Sequence, residues 1–305
     1  MTVSSLFTTF ANNLLPIMLV SAAGFFLGKT LNIDSRSIGR ISFFFFNPIL
    51  VFNLLIHSNL PMSEVLRTIM LVTAITFGCG LLTLIGGLAL KLDRTALISA
   101  LITSMFANNG NYGLPLVAFA FGPDALAHSS IYFVFSSLLT NTFGVIIASL
   151  GHLNLKQAIV GMFRIPTFYA VALAAVISQF GITMPTAVDR TITLVAGAAV
   201  PMMIILLGLE LRQINWTSNF SALGLSTFVR LLAGPLLGLL FTSILGIKGV
   251  GRQAGILEAS MSAAVVNTNL ASEFKLDTSL VAATVLISTL LSPLTLTPLI
   301  LLLGA

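Results

Sequence analysis

Charged residues are scarce in this chain. Asp, Glu, Lys and Arg make up only 8% of its 305 residues, whereas hydrophobic residues make up 57%, and the mean hydropathy is +1.06. Soluble globular domains carry about 25% charged residues, so this composition excludes that class and predicts a membrane-embedded chain. Each crossing of the lipid bilayer needs about 20 mostly apolar residues, so the length accommodates about ten spans and no separate soluble domain.

Other missing sequence features exclude several classes of function. Cys79 is the one cysteine, so an intramolecular disulfide is excluded. Metal-ligand spacings, a Ser–His–Asp arrangement and a phosphate-binding glycine loop are all missing, so we expect no metal, no cofactor and no catalytic site. The net charge of +5 comes from Lys and Arg spread over short loops, so nucleic acid is not an expected partner.

Apolar runs bounded by charges or turn residues predict ten spans, at 6–28, 41–56, 68–90, 95–121, 126–150, 159–180, 191–209, 220–245, 253–273 and 278–303. Most loop Lys and Arg residues follow odd-numbered spans: Lys29, Arg36, Arg40, Lys91, Arg94, Lys156, Arg164, Arg212 and Lys275. The other side holds Arg67, Arg190, Lys248 and Arg252. This bias predicts a multi-pass protein of the cell membrane with odd loops in the cytoplasm and both termini outside.

The two halves of the chain match weakly but in register. Pro48 in the second span corresponds to Pro201 in the seventh, and Arg94 and Arg252 each precede an Asn by 15 residues. An odd number of helices per repeat inverts the second copy. We therefore predict an all-α polytopic fold of two inverted five-helix repeats, residues 1–150 and 151–305.

The fourth span contains a polar run that ends in proline, Asn108-Asn109-Gly110-Asn111-Tyr112-Gly113-Leu114-Pro115. A second run, Asn267-Thr268-Asn269, lies in the ninth span, 158 positions after Asn109 and Asn111. Both runs start about 17 Å into the membrane at 1.5 Å per residue. We predict that both spans break into half-helices there, cross, and frame one cavity.

A half-helix that begins near the membrane midplane presents free N–H groups and a partial positive charge, which suit an anion such as a carboxylate. The predicted substrate-binding residues are Asn108, Asn109, Gly110, Asn111, Tyr112, Gly113, Pro115, Ser262, Asn267, Thr268 and Asn269. Asn47, Pro48 and Pro201 are predicted to line the path, although prolines often only kink membrane helices. The alternative for the polar runs is helix packing through small and amide side chains.

Two charges lie deep in predicted spans. Arg230 is ten residues into the eighth span, and Glu258 is six residues beyond Arg252. Charges inside a membrane are costly and usually paired or functional, so we expect an Arg230–Glu258 ion pair that either fixes packing or takes part in coupling. Glu210 and Trp216 fall at a span boundary and are interpreted as interface anchors.

These motifs resemble the auxin efflux carrier family, which includes plant PIN-type auxin exporters and bacterial malate and malonate permeases. The fourth-span pattern Asn-x-Gly-x-x-Gly-x-Pro is present as Asn108, Gly110, Gly113 and Pro115. Weaker similarities lie at residues 47–52, 200–208 and 271–277. The family's ninth-span proline is replaced by Ser262, and the short connection from Gly151 to Ala158 resembles the bacterial members.

The resemblance implies a scaffold of helices 1, 2, 6 and 7 and a transport domain of helices 3–5 and 8–10, with helices 4 and 9 crossed. It further implies elevator-type alternating access, Asn108 as the principal substrate-contacting amide, Pro115 as the crossover proline, and often a homodimer. We therefore expect a secondary transporter of a small organic anion that is not an enzyme, with H⁺ or Na⁺ as coupling ion or none. Alternatives are a sodium-coupled symporter, a cation–proton antiporter, or a channel.

Overall fold

A computed structural model describes residues 2–58, 60–149, 165–211 and 217–304. These residues form helices and one isolated bridge, without a strand. The helices are α1 (Val3–Leu31), α2 (Ser35–Ile56), α3 (Met62–Ala89), α4 (Arg94–Met105), α5 (Asn109–Ala148), α6 (Pro166–Phe180), α7 (Thr186–Leu211), α8 (Phe220–Ile244), α9 (Gly249–Ala259), α10 (Val266–Glu273) and α11 (Thr278–Leu303). The predicted connection at residues 151–158, the start of the sixth span and Trp216 lie outside the described residues.

Within the described ranges, seven helices are long and apolar enough to cross a membrane: α1, α2, α3, α5, α7, α8 and α11. The prediction of an all-helical membrane protein is thereby confirmed. The fourth and ninth spans are each divided, into α4 and the start of α5 and into α9 and α10. The fourth and fifth spans meet within α5, where Gly122 adopts a φ of +78° before Pro123 and bends the helix. The ten-helix count and the inverted repeat stay predictions.

Four helices contain a wide π turn directly before a proline. The turns are Phe10–Leu14, Ser42–Phe46, Asn109–Gly113 and Val229–Ala233, and they precede Pro16, Pro48, Pro115 and Pro235. Proline lacks an N–H and its ring clashes with the preceding turn, and a π turn accommodates both effects. Pro48 therefore lies within the continuous helix α2, and α7 continues through Pro201, so neither proline divides its span.

Close backbone packing fixes the helices on one side of the fold. α1 packs mainly on α7, and α2 packs on α6 and α7. A Cβ at Gly24 would collide with the main chain at Ile205, and one at Gly208 would collide with the main chain at Ser21. Such small-residue contacts let membrane helices approach closely. A second set of contacts joins α3 to α4 and α5, and α5 to α9.

Candidate transport site

The breaks in the fourth and ninth spans lie side by side. The first break, residues 106–108, separates α4 from α5, and the second break, residues 260–265, separates α9 from α10. Asn108 N–H donates to the Ser262 carbonyl at 2.8 Å, and Ala264 N–H donates to the Phe106 carbonyl at 3.0 Å. The two segments thus form a short antiparallel bridge. Each break thus provides hydrogen-bond partners for main-chain groups of the other break, which lipid could not provide.

The first break includes only Asn108 of the first polar run, and the second break precedes the second polar run. Residues 109–113 form the π turn that begins α5, and residues 267–269 lie in the first turn of α10. Proline is tolerated near a helix start, so Pro115 allows the new helix to begin upstream of it. The second break lies at residues 260–265, so it includes Ser262 but not residues 267–269, the two places on which the predicted break depended.

Arg230 binds the C-terminal ends of the two helices that lead into the breaks. Its guanidinium donates to the carbonyl oxygens of Ser104 at 2.9 Å, Ala259 at 2.8 Å and Met261 at 3.1 Å, and only 1% of the residue is exposed. A cation there satisfies unpaired carbonyls and opposes the partial negative charge of both helix ends. The expected ion pair is wrong, because within the described residues Arg230 contacts backbone and not Glu258.

Glu258 belongs to a separate buried network. One carboxylate oxygen accepts from Asn109 Nδ2 at 2.7 Å, and the other accepts from the Ser129 hydroxyl. Asn109 Oδ1 in turn accepts from Ser136 Oγ at 2.7 Å. Ser136 and Asn109 both line the cavity described below, so hydrogen bonds connect that cavity with a fully buried carboxyl group.

A cavity of about 620 Å³ extends from the two breaks to exposed arginines at the start of α2. Its wall includes the first turns of α5 and α10, one face of α2, and parts of α5 and α7. Charged lining residues in the described chain are Arg36, Arg40 and Glu210. Nearby Asp34, outside the spans, accepts from the Ser37 hydroxyl and from the main-chain N–H groups of Arg36 and Ser37, which lowers the pKa of its carboxyl group.

The cavity brings together part of the predicted site. Its lining includes Asn47, Asn108, Asn109, Gly110, Asn111, Thr268 and Asn269. The other predicted residues, which lie behind or away from this lining, are Pro48, Tyr112, Gly113, Pro115, Pro201, Ser262 and Asn267. Tyr112 is buried against Ser292, with 2.9 Å between the hydroxyl oxygens, and Asn267 Nδ2 donates to the Phe106 carbonyl at 3.0 Å. These two side chains support the breaks and do not face the cavity.

Three buried polar atoms on the cavity wall have no hydrogen-bond partner among the residues that the structure describes. They are Asn108 Nδ2, Asn47 Oδ1 and Ser42 Oγ. An unpaired buried polar group costs about 1–3 kcal/mol, and these three atoms belong to residues that line the cavity. A donor on the first break thus lies in the same cavity as unpaired oxygens on α2.

Glu210 is the functional candidate that the sequence interpretation missed. It accepts a hydrogen bond from Asn111 Nδ2 at 3.2 Å and lines the cavity, so it is not an interface anchor. The predicted seventh span ended at residue 209, whereas α7 continues to Leu211. Leu206, one turn earlier, also lines the cavity. The four-residue spacing from Leu206 was the signal that could have placed Glu210 on this face.

A helical membrane protein with paired helix breaks at a polar cavity has the architecture of a solute transporter. Residues 150–300 match a family described as "Membrane transport protein". An uncharacterized transporter of Methanothermobacter thermautotrophicus is 29% identical over 196 residues, which are 63% of each chain. An uncharacterized transporter of Methanocaldococcus jannaschii is 25% identical over 249 residues, 78% of this chain and 80% of the relative. The second half of the chain is thus similar to this family of membrane transport proteins, which agrees with the resemblance of its motifs.

Proposed function

We propose that the protein is a secondary-active transporter of a small organic anion, with a carboxylate held between the first turns of α5 and α10. The observation that carries this proposal is a difference in electrostatic environment between the C-terminal and the N-terminal helix ends at the breaks. Arg230 neutralises the two C-terminal ends, whereas the two N-terminal ends face the cavity.

The electrostatic consequence favours an anion. Each helix N-terminus carries a partial charge of about +0.5, which attracts an anion even though the Asn109, Asn267 and Thr268 N–H groups already donate to nearby carbonyls. Gly110 and Asn111 of α5 and Val266 of α10 line the cavity at these ends. The unpaired Asn108 Nδ2 adds a side-chain donor. Backbone N–H groups and amides at a helix start are a common way for proteins to bind carboxylates and phosphates.

The mechanism that fits this arrangement is elevator-type alternating access. In this proposal α1, α2, α6 and α7 form the scaffold, and the remaining helices form the transport domain within two inverted repeats. The bridge between Ala107 and Ala263 ties the two breaks together, so both halves of the site would move as one body. Because the cavity reaches Arg36 and Arg40, which charge bias assigns to the cytoplasm, the conformation is inward-facing in this proposal.

Glu258 is our candidate for proton coupling, since hydrogen bonds connect it with the cavity through Asn109. A cation–proton antiporter usually needs an acidic group at the helix crossing. Glu258, which is bonded to Asn109 next to the first break, would supply such a group, so an antiporter stays an alternative. Sodium coupling is a second candidate, supported by the unpaired oxygens of Asn47 and Ser42, because Na⁺ prefers oxygen ligands. A channel would differ by showing conductance that does not saturate with solute.

A thermal-shift experiment on the purified full chain tests the binding proposal. Dicarboxylates and indole acids are screened with and without sodium, and an acid that binds raises the melting temperature. We expect Asn108→Ala to abolish that rise and leave the ligand-free melting temperature nearly unchanged, because Asn108 Nδ2 has no partner to lose. Asn12→Ala, an exposed amide on α1, is the matched control. A large fall in the ligand-free melting temperature of Asn108→Ala would instead support a packing role.

A further inference from the structure

Glu210 places a carboxylate at the turn where the proposed anion binds. Its partner Asn111 is the third residue of the Asn109–Gly113 turn that begins α5. A carboxylate bound at the start of α5 would therefore lie next to Glu210. Like charges at such a distance repel each other, whereas a donor or a cation on the ligand would be attracted.

Among the described residues, the cavity wall has two other charged groups. Arg36 and Arg40 are exposed at the start of α2, where water and salt screen them. Glu210 is only partly exposed and faces the breaks. A small ligand bound at the first turn of α5 thus lies next to Glu210, which accepts hydrogen bonds and is less exposed to screening by water and salt than Arg36 and Arg40.

We infer that Glu210 is a specificity-determining residue: it selects carboxylates that carry a hydrogen-bond donor or an ammonium group beside the carboxylate, and it rejects a second carboxylate. This inference rests on the proposed function, because it assumes that a carboxylate binds between α5 and α10. It deepens that proposal by defining the chemistry of the ligand next to the carboxylate.

Four three-carbon acids of similar size test the inference: propanoate, 2-hydroxypropanoate, 2-aminopropanoate and malonate. Binding to the purified full chain is measured by titration calorimetry. For the wild type we expect the amino and hydroxy acids to bind more tightly than propanoate, and malonate most weakly. Glu210→Gln removes the charge and keeps the shape, so it should bind malonate at least tenfold more tightly and lose the preference for the amino acid.

Two further variants distinguish the effect of the charge at position 210 from the effect of changing a side chain or removing a carboxylate elsewhere. Glu210→Asp should keep the wild-type ranking, and so should Glu273→Gln, which removes an exposed carboxylate at the end of α10. If Glu210→Gln also keeps the ranking while Asn108→Ala abolishes binding of all four acids, the role of Glu210 is overturned and the proposed function stands. If none of the four acids binds the wild type while another acid of the thermal-shift screen does, the role of Glu210 is overturned and the proposed function stands; if no acid binds in either experiment, both are overturned.

Discussion

At the scale of single residues, the two buried charges show what a sequence can and cannot indicate. The depth of Arg230 and Glu258 within apolar spans predicted that both would be buried and bonded, and both are. Their partners were not predictable, because Arg230 binds main-chain carbonyls whose availability depends on where two other helices end. Oppositely charged side chains can be recognised in a sequence. The sequence does not show which helix ends lie close together in the fold.

Removing Arg230 should destabilise the protein strongly. Arg230→Leu leaves the carbonyls of Ser104, Ala259 and Met261 without this donor in a buried site, so we expect a loss of about 3–5 kcal/mol. Arg230→Lys keeps the charge and should lose less. Thermal unfolding of purified protein measures both, with Arg190→Leu, an exposed arginine, as control. Equal melting temperatures for Arg230→Leu and the control would contradict this role.

Glu258→Gln tests proton coupling in the same region. Glutamine can occupy the same space and still bond Asn109 and Ser129, but it cannot release a proton. We expect uptake into vesicles to lose its dependence on pH while the melting temperature stays within a few degrees of the wild type. Unchanged uptake with unchanged pH dependence would end the coupling role and leave Glu258 as a structural group.

At the scale of helices, the two polar runs predicted that two spans would be divided, but the second division lies at Ser262 and not at residues 267–269. The sequence showed where a helix is weakened, and the structure shows that residues 109–113 still form a π turn. The position of the second break at residues 260–265 depends on pairing with the first break, which is a contact over more than 150 positions. The helix propensity of neighbouring residues does not indicate such a long-range contact.

Gly113 tests how tightly α5 packs at the break. Its φ of −64° suits any residue, but an added Cβ would collide with the Glu258 carboxylate. We expect Gly113→Ala to lower stability by about 1–3 kcal/mol and to weaken acid binding by displacing Glu258 from Asn109. Gly197→Ala is the matched control, because nothing lies within 4 Å of a Cβ there and alanine favours the helix. Denaturant or thermal unfolding that ranks the two variants equally would contradict this prediction.

At the scale of the whole molecule, composition alone identified a helical membrane protein, and motif spacing indicated its family. The cavity required the structure, because its wall combines residues from α2, α5, α7 and α10. Their distances in sequence give no indication that they share one surface. Asn47 was predicted because it precedes a proline, whereas Ser42 and Phe133, which also line the cavity, carry no comparable sequence signal.

Cysteine labelling tests the predicted orientation. In a Cys79→Ala background, Thr268→Cys lies on the cavity wall and Thr183→Cys lies in the exposed turn between α6 and α7. We expect a membrane-impermeant thiol reagent to reach Thr268→Cys from the cytoplasmic side and Thr183→Cys from outside. Labelling of intact cells and inverted vesicles compares the two sides. Reaction of both cysteines from the same side would refute this orientation.

The bridge between Ala107 and Ala263 also bears on how such a protein diversifies. Its hydrogen bonds join main-chain atoms, so they do not depend on which side chains occupy the neighbouring positions. In the proposed site, substitutions at residues such as Asn111, Thr268 or Asn269 would therefore change ligand preference without breaking the bridge between the two breaks. A framework of this kind lets descendants of one ancestor evolve toward different solutes by few mutations.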